Sequence, residues 1–389
     1  MTNLARKPET LAKVARMNAA LRHEEPDRVP IGDFFWGEFI RRWQRELGLP
    51  ADASPYSYYD LDWIVTTPNL DPHIRPFDTL QEDAEGVTVK TGFEAIVRKH
   101  FAAPMPEAIG WETDTLEKLE ALEFDAAEDP RRLTAAGDNH LGGVGDGFAR
   151  NSPAWLETVK SLRPDIAVYG SVIESAECLT RLIGQMNTLL WIGEEPERLG
   201  EQILRIGDFY YRCLQAQITA GEGLLDGMVI WGDVAYKHSL LFSPHYWRRY
   251  FKPTVARMIA LCHQHHLPVI YHGCGNVAAI LPDFIEIGLD AYNPLEAKAG
   301  LDVVALRRQY GHQLAFCGNS DITVWESGDQ AAIRREVLRK LNAAKGGGMI
   351  FQSDHSVTSG VSGRTYDEII RLVREYGKYP LRLGEFEEA

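Results

Sequence analysis

The stretch Val269-Ile-Tyr-His-Gly-Cys-Gly-Asn276 constrains both the fold and the chemistry of this chain. A short apolar run, typical of a buried strand, ends in His272 and Cys274, which stand two apart on a glycine-containing turn. An imidazole and a thiolate at this spacing are ligands that Zn²⁺ prefers. The stretch therefore predicts a strand that carries a pair of metal ligands at its carboxyl end. The alternative is a buried cysteine beside a histidine that caps the following helix.

Short apolar runs alternate with amphipathic stretches from about residue 165 onward. This alternation predicts a parallel sheet with helical crossovers. Together with a first strand at residues 28–33, it makes about seven or eight βα units, which favours an α/β fold of the (β/α)₈ TIM-barrel type. We expect one barrel domain over residues 1–389. The other predicted strands are 165–173, 228–231, 268–271, 290–294, 313–317 and 348–352, and the predicted helices are 176–192, 196–220, one opening at Ser243-Pro244, and 366–376.

Residues from about 35 to 150 are less regular and rich in Pro, Trp and Asp. Only the run from Gly86 to Lys99 is β-like. We expect an N-terminal insertion or cap over the barrel mouth. No Gly-x-Gly-x-x-Gly fingerprint follows any predicted strand, which argues against an open dinucleotide-binding sheet.

The composition argues against nucleic acid and a membrane as partners of this chain. The formal net charge of the 389 residues is −14, which argues against a nucleic-acid surface. No apolar run approaches the roughly 18 residues of a membrane span, and the N-terminus is polar, so we expect a cytoplasmic protein. An odd number of cysteines, five, argues against a disulfide framework and for reduced thiols.

Polar residues follow the predicted strands at the point where each strand ends. In a barrel these positions converge on one mouth, although they are far apart in sequence. Burying so many polar groups is costly unless they are paired or bind something, and a metal ion would resolve that cost. The residues are Glu174, Asp233, His272, Cys274, Asn293, Glu296, Cys317, Asn319, Asp354 and His355.

The predicted metal ligands are His272 and Cys274, with the third ligand open. Cys317 would complete a Cys₂His set with one open position, which is a catalytic zinc arrangement. His355 is its rival, or a fourth ligand. Asn319 would also support the ligand shell through its amide. We expect catalytic roles for Asp233 and Glu174, and substrate-binding roles for Phe35, Trp36, Asn293 and Asn319, although the aromatic residues equally fit a plain core.

A second cluster, Cys262-His-Gln-His-His266, also contains metal-ligand residue types. It ends the helix that precedes the strand at Pro268, so it should lie at the opposite rim of the barrel. We interpret it as a solvated helix end.

Several motifs resemble the uroporphyrinogen decarboxylase-like superfamily, and its methyltransferase branch more closely than the decarboxylase itself. The resemblance covers nearly the whole chain and implies the same barrel. The motifs are Glu25-Pro-Asp-Arg-Val-Pro30, Gly232-Asp233 with Leu241-Phe-Ser-Pro244, His272-Gly-Cys274, Cys317-Gly-Asn-Ser-Asp321, and Gly347-Gly-Met-Ile-Phe351 followed by Ser353-Asp-His-Ser356.

The methyltransferase branch carries a zinc site described as His-x-Cys followed much later by a Cys. His272 and Cys274 match the first two ligands, but this chain has His355 near the third position, and Cys317 lies earlier than the family spacing implies. The resemblance implies a zinc-dependent methyltransferase. It would move a methyl group between a small methylated substrate, such as a methoxylated compound, or a thiol, and a corrinoid (cobalamin) on a partner protein.

Two alternatives remain open from the sequence. The decarboxylase that the resemblance also suggests needs no metal and holds a tetrapyrrole with an Arg-rich N-terminal segment, whereas Gly32-Asp-Phe-Phe-Trp-Gly-Glu38 is acidic and aromatic. The other alternative is a non-catalytic binding protein with a fully coordinated zinc ion. Whether the chain forms a homodimer is also left open.

Overall fold

The computed structural model describes residues 5–75, 77–103, 105–138 and 154–384. The strands are β1 (Trp63–Val65), β2 (Asp78–Glu82), β3 (Gly86–Lys90), β4 (Ala95–His100), β5 (Glu107–Trp111), β6 (Ala167–Ile173), β7 (Gly227–Trp231), β8 (Val269–His272), β9 (Ala291–Asn293), β10 (Ala315–Cys317) and β11 (Met349–Ile350).

The α-helices of the described residues are α1 (Pro8–Leu21), α2 (Gly37–Leu47), α3 (Pro55–Tyr58), α4 (Leu116–Ala121), α5 (Trp155–Leu162), α6 (Ser175–Leu182), α7 (Gln185–Glu194), α8 (Pro196–Ala220), α9 (Pro244–Tyr250), α10 (Lys252–Gln264), α11 (Leu281–Glu286), α12 (Val303–Tyr310), α13 (Ile322–Glu326), α14 (Gln330–Leu341) and α15 (Gly363–Tyr376). Ser243 caps α9 by accepting a hydrogen bond from the Tyr246 N–H at 3.1 Å, as the Ser-Pro pair predicts.

A curled parallel sheet of seven strands forms the centre of the fold, in the order β1-β6-β7-β8-β9-β10-β11. Helices connect most neighbouring strands, which confirms the α/β class. The carboxyl ends of these parallel strands therefore lie on one side of the sheet.

The segment Pro30-Ile31-Gly32 joins the two edges of the sheet. The N–H of Phe351 donates to the Pro30 carbonyl at 2.8 Å, and the N–H of Asp62 donates to the Ile31 carbonyl at 2.9 Å. The predicted first strand at residues 28–33 is present only as isolated bridges. Arg28 pairs with Lys378 and Ile31 pairs with Phe351, but no run of consecutive residues pairs with the same strand.

Successive side chains of each strand point to opposite faces of the sheet, and this alternation separates two apolar clusters. Ala167 and Tyr169 of β6 belong to a cluster inside the curled sheet, whereas Val168 and Val172 pack with the surrounding helices. Three side chains of α1 join the inner cluster (Met17, Ala20 and Leu21).

The region from about 35 to 150 is more regular than the sequence predicts. Trp63–Val65 is an edge strand of the main sheet, and β2 to β5 form a separate four-stranded antiparallel sheet. β1 was missed because three residues are too few for a period-two pattern. The Trp111 indole N–H bonds to the Arg181 carbonyl at 3.1 Å and ties the small sheet to α6. Residues 139–150 of the expected cap lie outside the described residues.

The cluster at residues 262–266 lies at the end of α10, as predicted. Cys262 is fully buried, while His263, His265 and His266 are exposed. His263 contacts Asp290 at 2.8 Å. Among the helices that the structure describes, none is long and apolar enough to cross a membrane.

Asp33 lies in the edge-joining segment and is almost completely buried. It accepts hydrogen bonds from the Ser353 hydroxyl at 2.6 Å and from the Tyr366 hydroxyl at 3.1 Å. Burial raises the pKa of Asp33 to about 8, because it outweighs the hydrogen bonds that favour the charged form. The folded chain therefore holds this proton more tightly than the unfolded chain does.

We expect Asp33→Asn to flatten the pH dependence of stability. The stabilisation linked to the Asp33 proton is complete below the unfolded pKa of about 4, and it is lost as the pH rises through the folded pKa of about 8. Denaturant unfolding at several pH values in this window would show wild type losing more stability than the variant as the pH rises. Equal slopes for the two proteins would contradict the protonation of Asp33.

Candidate metal centre

The turn after β8 places His272 and Cys274 close together. The residue between them must be glycine, because a Cβ at Gly273 would lie 2.6 Å from the Gly232 carbonyl oxygen. Gly275 follows with a φ of 85°, a conformation that favours glycine. As a result, Cys274 Sγ lies 3.7 Å from His272 Nε2.

Asn293 at the end of β9 sets the orientation of the His272 ring. Its Oδ1 lies 2.5 Å from His272 Nδ1, and its Nδ2 donates to the Cys317 carbonyl at 2.8 Å. Because an amide oxygen only accepts, Nδ1 carries the hydrogen and Nε2 presents its lone pair toward Cys274. This is the arrangement of a metal-ligating histidine held by an outer-shell partner.

We expect Asn293→Ala to weaken metal binding by about 10- to 100-fold, the usual loss for an outer-shell partner of a ligand. A chelator-competition titration with zinc would measure the dissociation constant. Asn293→Asp keeps an acceptor at the same place and should lose less affinity. Equal affinity in wild type and Asn293→Ala would show that the ring needs no such partner.

Asp233 completes a first set of three ligand residues with His272 and Cys274. The ligand atoms of the three all lie within 4.8 Å of one another. Asp233 Oδ1 accepts a hydrogen bond from the Cys274 N–H at 2.9 Å, which fixes the carboxylate beside the turn. Asp233 keeps part of its surface exposed to solvent. Desolvation of its carboxylate by the surrounding protein, followed by the charge of the nearby Glu177, raises its pKa to about 6.

Cys274 also belongs to a second set, with Glu296 and His355, under the same 4.8 Å limit. Glu296 Oε2 accepts a hydrogen bond from the Gly275 N–H at 2.8 Å. Its Oε1 lies 3.4 Å from the Lys298 ammonium, whose side chain is 42% exposed. His355 therefore lies close to Cys274, as His272 does. Its other neighbour in the set is Glu296, whereas that of His272 is Asp233.

Cys317 lies apart from both sets. It is fully buried in the cluster inside the sheet, and its thiol donates to Gln352 Oε1 at 3.2 Å. Burial raises the pKa of the Cys317 thiol, so it is held as the neutral form. Neither three-ligand group of the described residues includes it, so the structure does not bring Cys317 to His272 and Cys274 as a third ligand.

Glu174 lies behind Gly232 and is nearly fully buried. The Tyr271 hydroxyl is 3.5 Å from Glu174 Oε1 and donates to the Gly232 carbonyl at 3.1 Å. Burial raises the pKa of Glu174 to about 8. It is therefore a neutral, proton-holding acid that lies next to the Gly232-Asp233 turn.

Aromatic rings surround the two histidines. Phe34 and Trp231 pack against His272, with ring centroids 5.9 and 4.6 Å away, and Trp36 lies 5.7 Å from the His355 ring. Trp36 and Trp231 are partly exposed. Phe35 instead packs against Phe39, Tyr56 and Tyr366 in the outer core, so its neighbour Phe34 takes the place that we predicted for it near the site.

The Asn319 amide is occupied by protein groups. Its Oδ1 accepts from the Val303 N–H at 2.8 Å and from the Lys340 ammonium at 2.6 Å. Its Nδ2 donates to the carbonyls of Leu295 and Leu301. Asn319 thus fixes the loop that carries Glu296.

The centre is acidic in the absence of a cation. Burial, followed by Asp233 and Glu296, raises the pKa of the Cys274 thiol well above its usual value. Bound metal would reverse this effect, because a coordinated thiol loses its proton.

Sequence reasoning placed Glu296 at a strand end but gave it no role, and it missed Trp231 as part of the aromatic surface. The available signal for Glu296 was its position three residues after Asn293. For Trp231 the signal was its place directly before Gly232-Asp233 at the end of β7.

A curled parallel sheet with clustered ligand residues at its carboxyl edge defines an α/β protein of the TIM-barrel-like class. The chain belongs to the uroporphyrinogen decarboxylase (URO-D) family, whose model matches residues 127–376.

Known proteins are similar to this chain at two levels. The uroporphyrinogen decarboxylases of two strains of Thermus thermophilus are each 28% identical to it over 242 residues, covering 57% of this chain. The match covers 64% of their own length, which is less than two thirds. A methyltransferase from Methanosarcina mazei has a similar fold, with a TM-score of 0.65 and 17% identity, covering 94% of this chain and 98% of the other.

Proposed function

We propose that the chain is a zinc-dependent methyltransferase. The observation that carries this proposal is the set of Asp233, His272 and Cys274, whose ligand atoms lie within 4.8 Å of one another. Bonds of about 2.0 to 2.3 Å to one zinc ion place two ligand atoms at most about 4.6 Å apart. The 4.8 Å limit is close to this bound, so one thiol, one imidazole with a fixed tautomer and one carboxylate would reach one zinc ion after a small side-chain movement and leave a further position for substrate.

When bound, zinc would act as a Lewis acid on a substrate oxygen or sulfur. The side chains of the protein supply positioning. Asn293 holds the His272 ring, and the Cys274 N–H holds the Asp233 carboxylate. Phe34, Trp36 and Trp231 would bind the apolar part of a small methylated substrate and exclude water from it.

The methyl group would pass between that substrate, or a thiol, and a corrinoid on a partner protein. This part of the proposal is supported by the motifs shared with the methyltransferase branch. We further interpret the sheet and its edge-joining segment as a (β/α)₈ barrel whose mouth carries the metal centre, with the sheet of β2 to β5 as part of a cap.

A metal-independent decarboxylase is the second candidate, because the matched family model and the Thermus relatives carry that name. The segment from Gly32 to Glu38 argues against it, since it contains no arginine and two acidic residues. Asp33 is bonded inside the core, and Phe34 and Trp36 lie beside the histidines. This segment offers no cationic side chain that would bind a substrate with many carboxylates.

The two candidates differ in their response to a chelator. Purified protein is assayed for methyl transfer from methoxylated arenes to free cob(I)alamin, and for decarboxylation of uroporphyrinogen, before and after metal removal. We expect methyl transfer only, lost on chelation and restored by zinc. Decarboxylation that persists without metal would refute the methyltransferase proposal.

A further inference from the structure

The two ligand sets share only Cys274. Asp233 and His272 belong to one group, Glu296 and His355 belong to the other, and no larger group exists among the residues that the structure describes. One ion that bound all five would need every pair of ligand atoms within about 4.6 Å. A single ion could therefore occupy either set, whereas two neighbouring ions are needed to occupy both sets at once.

The second set is held in place on both sides of Glu296. The preceding Leu295 has a φ of 62°, and its carbonyl accepts a hydrogen bond from the Asn319 amide. The following Ala297 donates its N–H to Asp354 Oδ2 at 3.0 Å, and Asp354 directly precedes His355. Asp354 thus ties together the two loops that carry Glu296 and His355, while Trp36 packs against the His355 ring.

The charge around Cys274 also favours more than one cation. Two carboxylates flank Cys274: Asp233 Oδ1 accepts its N–H at 2.9 Å, and Glu296 Oε2 accepts the N–H of Gly275 at 2.8 Å. Lys298 lies 3.4 Å from Glu296, whereas Asp233 has no basic partner among the described ion pairs. Glu296 is largely buried, and a second carboxylate and a thiol close to it are costly unless cations compensate their charge.

We propose that Cys274, Glu296 and His355 form a second divalent-cation site, adjacent to the His272–Asp233–Cys274 site, with the Cys274 sulfur shared by both ions. This inference rests on the proposed zinc site of the methyltransferase. Mixed sulfur, nitrogen and oxygen donors select a borderline cation such as Zn²⁺ or Co²⁺. Ions that share a ligand in this way lie about 3.5 to 4 Å apart in two-metal sites.

The test is a Co²⁺ titration of the metal-free full-length chain, followed by the thiolate-to-cobalt absorption band and by bound metal after desalting. The number of ions bound by Cys274→Ser is subtracted from each value, because this variant still binds ions at other places, for example at the exposed histidines that end α10. Glu296→Gln and His355→Ala are two independent variants of the second set. Asp233→Asn and His272→Ala are the matched variants of the first set, and Cys317→Ser is the control outside both.

We expect two Cys274-dependent ions in wild type and in Cys317→Ser. Glu296→Gln and His355→Ala should bind one ion and keep the absorption band, because Cys274 and the first set remain. Saturation at one ion, whether or not its affinity depends on Glu296 and His355, would overturn the second site. The zinc proposal itself would survive that result, whereas the absence of any Cys274-dependent ion and band would refute both.

Discussion

Replacing Cys274 with serine should abolish methyl transfer and metal retention. Cys274 is the one residue that belongs to both three-ligand groups of the described residues. Serine keeps the size of the side chain, but a hydroxyl is a much poorer ligand than a thiolate for a borderline-soft cation. The loss should exceed the roughly 10- to 100-fold effect of removing an outer-shell partner. Methyl transfer to cob(I)alamin and metal content after dialysis would both be measured.

Cys317→Ser is the matched control for this experiment. Cys317 is fully buried, and its thiol donates a hydrogen bond to Gln352. It therefore lies away from both ligand sets. We expect this variant to retain its metal and to keep its activity apart from a loss of stability. Metal loss in Cys317→Ser together with metal retention in Cys274→Ser would show that the ligand assignment is wrong.

Replacing Asp62 with alanine should destabilise the fold more than any surface substitution. Asp62 is fully buried and pairs with Arg16 and with Arg28, whose Nη1 lies 2.7 Å from Asp62 Oδ2. The same oxygen accepts the Ile31 N–H at 2.7 Å. Asp62→Ala would leave two largely buried guanidinium groups without this carboxylate and free the segment that joins the sheet edges. Removing one partner of a buried ion pair costs about 3 to 5 kcal/mol.

Asp27→Ala is the comparison for Asp62→Ala. Asp27 also pairs with Arg16, at 2.7 Å, but its side chain is 65% exposed. Because Asp27 is mostly solvated and Arg16 keeps Asp62 as a partner when Asp27 is removed, we expect a loss of about 0 to 1 kcal/mol. Urea unfolding of wild type and both variants would measure the free energy of unfolding. Similar losses for the two variants would contradict a structural role for the buried carboxylate at the sheet edges.

The order of strands and helices after residue 165 could be predicted because each strand there is a continuous apolar run. β6 to β11 all lie within or beside the predicted strands. The N-terminal part could not be predicted in the same way. β1 has three residues, and the edge-joining segment at Pro30 is held by long-range bonds to Phe351 and Asp62 rather than by a local pattern.

The candidate site was predictable as far as strand ends could place it. His272, Cys274, Asp233 and His355 meet because parallel strands bring their carboxyl ends together. The sequence left Cys317 and His355 open as the third ligand, and it could not show that Cys317 lies apart or that Glu296 joins the site, because both depend on the direction of each side chain. Cys317 lies within β10 and its side chain belongs to the apolar cluster inside the curled sheet. Glu296 lies on the loop after β9, and its carboxylate accepts a hydrogen bond from the Gly275 N–H.

The metal content of the purified wild-type chain, measured by mass spectrometry after exhaustive dialysis without chelator, shows whether the centre binds zinc. We expect zinc in at least about one equivalent per chain, because a fixed imidazole, a thiol and a carboxylate lie close together. A wild-type protein that takes up no stoichiometric metal, even after incubation with zinc, would contradict the zinc site. The metal-independent decarboxylase would then be the better explanation of the site.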